Sequence, residues 1–110
     1  MGMTFQQLLD WIKVKDQDLR RINTPEDKVK RRLNRMAKLG EEFGELSSQV
    51  LSQSSFQRDR NGRKFNLEEL GGEVADVLIT TMLLAESFDI DITNALEKKI
   101  AKIDKRFKNL

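Results

Sequence analysis

The chain has 110 residues, with 20 basic and 18 acidic side chains and a net charge of +2 at pH 7. This length fits one domain spanning residues 1–110, and the near balance of charge gives no general bias toward nucleic acids or membranes. Cysteine and histidine are both absent, which excludes disulfides, thiolate zinc sites and catalysis by Cys–His or Ser–His pairs. Any catalysis must therefore use carboxylates, lysine, arginine and a metal ion.

The first half of the chain predicts two helices, at about 4–22 and 25–52. Thr4 and Gln7 have the spacing of a capping box at the start of the first helix. Thr24 followed by Pro25 is a typical start for the second. Five apolar residues of the second helix recur at helical spacing: Val29, Leu33, Met36, Phe43 and Val50.

The second half predicts helices at about 67–89 and 92–107, with a second capping box beginning at Asn66 and a cap at Asp91. The segment 53–65 between the halves is a basic loop, in which Arg58 and Arg63 are candidates for contact with phosphates. The alternative is a linker with no function of its own. Four helices, or five if the second breaks at Gly40, make an all-α bundle.

Two pairs of acids carry the functional signal. Glu42 and Glu45 are three residues apart, as are Glu73 and Asp76, so each pair shares one face of its helix. Both pairs lie in apolar helices, and carboxylates brought close together resist ionisation unless a cation lies between them. Oxygen ligands without histidine or cysteine suit Mg²⁺, with Mn²⁺ as an alternative ion. The competing interpretation is two solvated surface pairs.

A basic row precedes the first acidic pair on the second helix. Lys28, Arg31, Arg35 and Lys38 follow one another at steps of three and four residues, so a polyphosphate could lie along them toward the metal. A solvated helix face is the alternative, favoured for Lys28 and Arg31. Trp11 lies beside the apolar stripe of the first helix, where it could border the core or stack on a base.

The acidic motifs resemble those of a known family. Lys38-Leu39 followed by Glu41-Glu42, Gly44-Glu45-Leu46 and then Glu73, Asp76-Val77-Leu78, with a final Lys-rich helix, is similar to the MazG-like all-α nucleoside triphosphate pyrophosphohydrolases. The resemblance covers roughly residues 25–107. It implies Mg²⁺-dependent cleavage between the α- and β-phosphates of a nucleotide substrate, giving a monophosphate and pyrophosphate in nucleotide-pool house-cleaning. It also implies a homodimer or a dimer of dimers.

By the same resemblance, the metal ligands are Glu42, Glu45, Glu73 and Asp76. Catalytic roles fall to Glu41, Glu45 and Lys38, where Glu41 matches the first acid of the motif. Substrate contacts are expected at five positions: Trp11, Arg35, Lys38, Arg58 and Arg63. One departure from the family pattern is Ile103, which stands where members often carry an Asn.

Two other functions fit the same residues. One is a non-enzymatic nucleotide or polyphosphate sensor with the same metal cage, and the other is a phosphoribosyl-ATP pyrophosphohydrolase. Stable binding of nucleic acid is not expected, because the acids would repel a phosphate backbone when no metal is bound. No apolar run approaches the roughly 20 residues of a membrane span, and no secretory leader is present. We therefore expect a cytoplasmic protein, and interpret residues 1–2 as a cloning remnant.

Overall fold

A computed structural model describes residues 2–53 and 65–108. Within these two ranges the chain forms four helices and no strand: α1 (Phe5–Ile22), α2 (Lys28–Ser52), α3 (Leu67–Ser87) and α4 (Ile92–Phe107). The all-α fold predicted from the sequence is confirmed. The predicted basic loop lies mostly outside the described residues, and Arg58 and Arg63 lie there with it.

Polar caps set the helix starts. The Thr4 hydroxyl accepts a hydrogen bond from the backbone N–H of Gln7, and the Gln7 side chain accepts one from the backbone N–H of Thr4. The Asn66 and Asp91 side chains cap α3 and α4, each accepting a hydrogen bond from the backbone N–H three residues later. These caps satisfy helix N–H groups that have no partner within the helix.

Two predicted boundaries were wrong. Helix α2 begins at Lys28 rather than at residue 25, because Asp27 supplies its cap by accepting a hydrogen bond from the Lys30 N–H at 2.7 Å. The Thr24 hydroxyl instead donates to the carbonyl of Arg20 and so belongs to the end of α1. Helix α3 ends at Ser87, two residues before the predicted end. Helix α2 continues unbroken through Gly40.

Helices α2 and α3 pack side by side, and α1 packs against α3. Contacts from Arg32 to the Ser87 carbonyl and from Gln49 to Glu69 lie at opposite ends of the pair. Residue numbers therefore rise along α2 as they fall along α3, so the two helices are antiparallel. Helix α4 has no buried residue and makes no comparable packing with the other described helices.

A charged contact joins the first three helices. The Asp16 carboxylate on α1 forms a 2.7 Å ion pair with Arg35 on α2, and both residues are buried. The Arg35 guanidinium also donates to the Leu83 carbonyl on α3. Arg20 holds the other Asp16 oxygen at 3.1 Å. Since a buried charge is costly unless it is paired, this contact fixes how α1 sits on the α2–α3 pair.

The apolar core is small. Among the described residues only Ile12 and Met82 are buried hydrophobic side chains. All five apolar residues predicted as a stripe on α2 are exposed on the surface, and so is the apolar face of α4: Leu96, Ile100, Ile103 and Phe107. None of the four helices combines the length and the apolar character that crossing a membrane requires.

Candidate metal centre

Three of the four predicted metal ligands come together between α2 and α3. Glu42, Glu73 and Asp76 each place a carboxylate oxygen within 4.8 Å of the other two. The spacing of three residues puts Glu73 and Asp76 on one side of α3. The antiparallel packing of α2 brings Glu42 against that side. We call these three residues the carboxylate cluster.

Glu45 is the predicted ligand that does not join the carboxylate cluster. It lies close to one turn beyond Glu42 on α2 and is partly buried. Glu41 is exposed beside Glu42, and its carboxylate lies 3.8 Å from the Lys38 amine. Both acids therefore border the cluster without belonging to it.

Lys38 on α2 forms an ion pair with the cluster. Its Nζ lies 3.2 Å from a carboxylate oxygen of Glu42, four residues later on α2. The hydrogen bond to Glu42 and the charges of Glu41 and Glu42 raise the pKa of Lys38, so its positive charge is secure. A metal ion that binds Glu42 can displace the Lys38 amine, which is then able to pair with a phosphate.

The charge of the cluster also acts on Asp76. Partial removal from water and then the nearby Glu42 carboxylate raise the pKa of the Asp76 carboxyl, and a hydrogen bond to Glu42 acts in the same direction. Lys38 opposes this shift. The cluster therefore holds its negative charge against repulsion, which a cation would relieve.

A cavity of about 360 Å³ begins about one helical turn from the cluster, whose own three residues do not line it. Lys38 on α2 and Thr80 on α3, each one turn from a cluster residue, form its near wall. Leu19 and Leu83 supply apolar surface farther in. The rest of the lining is polar or charged: Asn23, Glu26, Arg31, Asn34 and Arg35. We call this cavity the groove.

Besides Lys38, two other members of the predicted basic row are paired with acids of the same chain. Arg31 lies 3.8 Å from Glu26, and Arg35 is paired with the buried Asp16. Both line the groove. Their pairing reduces the positive charge that they offer to a substrate, whereas Lys38 carries its charge at the edge of the cluster.

A family model supports the assignment that this geometry suggests. The model of the MazG nucleotide pyrophosphohydrolase domain matches residues 30–110. This chain belongs to the MazG family. No curated protein and no solved structure matches it. The matched range contains every residue of the carboxylate cluster, while α1 lies before it.

The donor set of this MazG domain fits a hard divalent cation. The carboxylate cluster offers only oxygen, and the chain contains no histidine or cysteine. Oxygen-only ligation is typical of Mg²⁺, Mn²⁺ and Ca²⁺ rather than of zinc or copper. The MazG match supports nucleotide pyrophosphohydrolase activity in general, a class of reaction that such a cation serves.

Trp11 lies away from the groove of the MazG domain. It is 43% exposed and borders a second cavity of about 400 Å³, which residues of α1 and Leu83 of α3 line. The Lys15 amine stands 5.6 Å from the centre of its ring. Leu19 and Leu83 line both cavities, so they separate the indole from the groove.

Sequence reasoning missed several residues of the groove. Thr80 and Asn34 were open to prediction, because each lies four residues from a predicted site residue on the same helix face. Glu26 and Asn23 gave no such signal. They come from the connection between α1 and α2, whose path depends on the packing of α1 rather than on any periodicity.

Proposed function

We propose that this MazG protein is a Mg²⁺-dependent pyrophosphohydrolase that cleaves a nucleoside triphosphate to its monophosphate and pyrophosphate, in nucleotide-pool house-cleaning. The observation that carries the proposal is the carboxylate cluster, Glu42, Glu73 and Asp76, beside a groove of about 360 Å³. A nucleotide substrate needs both a metal site for its phosphates and a cavity for its nucleoside.

The cluster residues would hold the ion, with Mn²⁺ as an alternative to Mg²⁺. When bound, such an ion offsets the negative charge that repels an attacking water and lowers the pKa of that water. Glu45, one turn along α2, is our candidate for the base that takes the proton, and Glu41 for positioning the water. Lys38, at 3.2 Å from Glu42, is placed to shift toward the leaving pyrophosphate and to stabilise its charge.

The groove supports a place for the nucleoside. Leu19 and Leu83 offer apolar surface to the base. The side chain of Asn34 donates to Glu26 at 2.8 Å, which leaves amide and carboxylate atoms of this pair for the edge of a base. Arg35 has a fixed guanidinium in the same wall. Contacts from Trp11, Arg58 and Arg63 remain part of the proposal without support from the described residues.

Surface area supports a homodimer or a dimer of dimers. The chain exposes 8494 Å², whereas a compact monomer of 12.8 kDa would expose about 6,300 Å². The excess of about 2,200 Å² exceeds the roughly 800 Å² that each partner buries in a standard interface. A second copy would cover apolar residues that the chain's own small core leaves on the surface.

A hydrolysis panel tests the proposed reaction. Nucleoside triphosphates are incubated with the protein and Mg²⁺, and the products are separated by ion chromatography. We expect a monophosphate and pyrophosphate in equal amounts, and none in EDTA. Mg²⁺-dependent binding with no product would contradict the enzyme and indicate the sensor.

A variant pair ties the reaction to the cluster. Glu73→Gln removes a ligand charge and should lower turnover by about 100-fold or more, since even changes behind the ligands cost 10–100-fold. Glu68→Gln, in the exposed first turn of the same helix, is the matched control and should keep its activity. Equal turnover in both variants would show that the carboxylate cluster is not the catalytic site.

A further inference from the structure

Glu26 is an almost buried carboxylate in the wall of the groove. It lies in the connection between α1 and α2, and its side chain is 9% exposed. Burying a carboxylate is costly unless the group is paired and hydrogen-bonded. The contacts of Glu26 within the chain therefore show how much of its hydrogen-bonding capacity is already used.

Two side chains of α2 hold the Glu26 carboxylate. Asn34 donates a hydrogen bond to Oε2 at 2.8 Å, and Nε of Arg31 lies 3.8 Å from Oε1. The contact with Arg31 is too long for a hydrogen bond. A carboxylate has about four acceptor sites, so each oxygen of Glu26 retains capacity for a further donor.

The chain by itself does not complete the contact between Glu26 and Arg31. Where an ion pair fixes the packing of α1, as between Asp16 and Arg35, the two groups approach to 2.7 Å. Arg31 instead has a buried Nε with no hydrogen-bond partner among the described residues. Glu26 and Arg31 both line the groove. Polar groups that are incompletely paired beside a cavity indicate a polar ligand there.

The position of Glu26 relative to the carboxylate cluster suits a nucleotide. Asn34, which contacts Glu26, precedes Glu42 by eight residues, or about 12 Å along α2. Lys38 lies half-way between them. This separation is comparable with that between the phosphates of a nucleotide and the far edge of its base. A nucleotide with its phosphates at the cluster therefore brings the edge of its base to Glu26.

A carboxylate at this edge distinguishes among the bases. Guanine presents two adjacent donors, the N1–H and the 2-amino group, which match the two oxygens of Glu26. Adenine and cytosine each present one amino group beside a ring nitrogen that is itself an acceptor, and uracil presents one N–H between two carbonyls. A charged carboxylate repels those acceptors, so guanine is the base that satisfies it.

We propose that Glu26 is a specificity-determining residue that selects guanine nucleotides. The inference rests on the proposed function, whose substrate class it names. The N1–H and the 2-amino group of guanine donate to the two oxygens of Glu26. The Asn34 amide has a second N–H, which suits O6, the acceptor next to N1. Arg31 compensates the charge of the carboxylate and so keeps it ionised in the wall of the groove.

Calorimetric binding with the α,β-methylene analogues of GTP and ATP tests the preference. These analogues carry a carbon bridge in place of the oxygen whose bond the proposed reaction breaks, so they bind without turnover. In the presence of Mg²⁺, wild type should bind the GTP analogue about 10-fold or more tightly than the ATP analogue, the discrimination that a bidentate contact provides. Equal affinities would overturn the proposal.

The variant Glu26→Gln assigns the preference to this side chain. It keeps the size of the side chain but replaces one acceptor by an N–H₂ group, which opposes a donor of guanine. Affinity for the GTP analogue should fall by about 10-fold or more, while affinity for the ATP analogue should not fall. Glu97→Gln, at an exposed position on α4, is the matched control and should bind both analogues as wild type does. A Glu26→Gln protein that retains the full guanine preference would overturn the proposal.

A change in the ligand tests the same contact without altering the protein. IMP differs from GMP by the loss of the 2-amino group, one of the two donors assigned to Glu26. In competition for wild type against the GTP analogue, IMP should be about 10-fold weaker than GMP. Equal competition would overturn the proposal even if Glu26→Gln failed to fold.

Binding and turnover separate this inference from the proposed reaction. Selective binding of guanine nucleotides without release of pyrophosphate would support the role of Glu26 and reject the hydrolase. Release of pyrophosphate from all four nucleoside triphosphates at equal kcat/KM would reject the guanine preference and keep the hydrolase.

Discussion

At the scale of single residues, the carboxylate cluster brings three acidic side chains close enough to repel one another. A bound cation would relieve that repulsion. Glu42, Glu73 and Asp76 place oxygens within 4.8 Å of one another, and Lys38 compensates only part of their charge. Partial removal from water, and after it the nearby Glu42 carboxylate, raise the pKa of Asp76. We therefore expect charge at the site to oppose folding of the metal-free chain and to favour binding of the proposed metal ion.

The variant Asp76→Asn should raise the melting temperature in EDTA at pH 7–8. Because the folded state raises the pKa of Asp76, that carboxyl stabilises the fold only while it is protonated, and the contribution is lost as pH rises through the raised pKa. The asparagine removes the charge, so its advantage should shrink as the pH falls toward about 4, the ordinary range of the group.

Calorimetry with and without Mg²⁺ measures both sides of this effect. Wild type should gain more melting temperature from Mg²⁺ than Asp76→Asn, because the variant lacks one ligand charge. Asp10→Asn, at an exposed position on α1, is the control and should have the melting temperature of wild type in both buffers. If Asp76→Asn were less stable than wild type in EDTA, repulsion at Asp76 would not be what lowers the stability of the metal-free protein.

The predicted ligands included all three members of the cluster and one residue, Glu45, that does not join it. A separation of three residues fixes that Glu42 and Glu45 share a face of α2. It does not fix which turn of α2 lies level with Asp76, because that depends on how far the two helices slide along each other. Contacts far from the site, such as Arg32 with the Ser87 carbonyl, set this offset.

At the scale of the helices, α2 shows why periodicity alone misleads. Its apolar stripe was predicted correctly as a stripe, but the structure turns that stripe to solvent and buries Arg35 instead. The hydrophobic pattern of a core face and that of an interface are the same. Here the ion pair between Arg35 and Asp16 decides which side of α2 faces the other helices. No pattern along one helix can reveal such a pair.

That pair predicts an unequal response to substitution on α1. Asp16→Ala leaves the buried Arg35 guanidinium without its partner, which should cost about 3–5 kcal/mol in the free energy of unfolding. Asp18→Ala removes only partly exposed pairs on the same helix and should cost about 0–1 kcal/mol. Urea denaturation gives both values.

The double variant Asp16→Ala/Arg35→Met tests the reason for the loss. With no buried charge left, it should be more stable than Asp16→Ala alone. Strictly additive losses in the double variant would show that the two charges act independently. The helices would then be placed by apolar contact, and the pair would not explain the orientation of α2.

At the scale of the whole molecule, caps and periodicity were enough for the four helices but not for the assembly. The radius of gyration is 17.0 Å, against about 13 Å for a compact domain of this length. Only two hydrophobic side chains are buried among the described residues. A chain with so little core of its own would gain stability from the second copy proposed above.

Stability should therefore depend on concentration. If folding is coupled to association, the melting temperature of wild type rises with protein concentration, because mass action favours the assembled state. Leu33→Glu places a charge in the exposed apolar stripe of α2 and should give a monomer with a lower melting temperature and little dependence on concentration. Gln17→Glu adds the same charge on exposed α1 and should behave as wild type. A wild-type protein that is monomeric by light scattering, with one melting temperature at all concentrations, would show that the exposed apolar surface needs no partner.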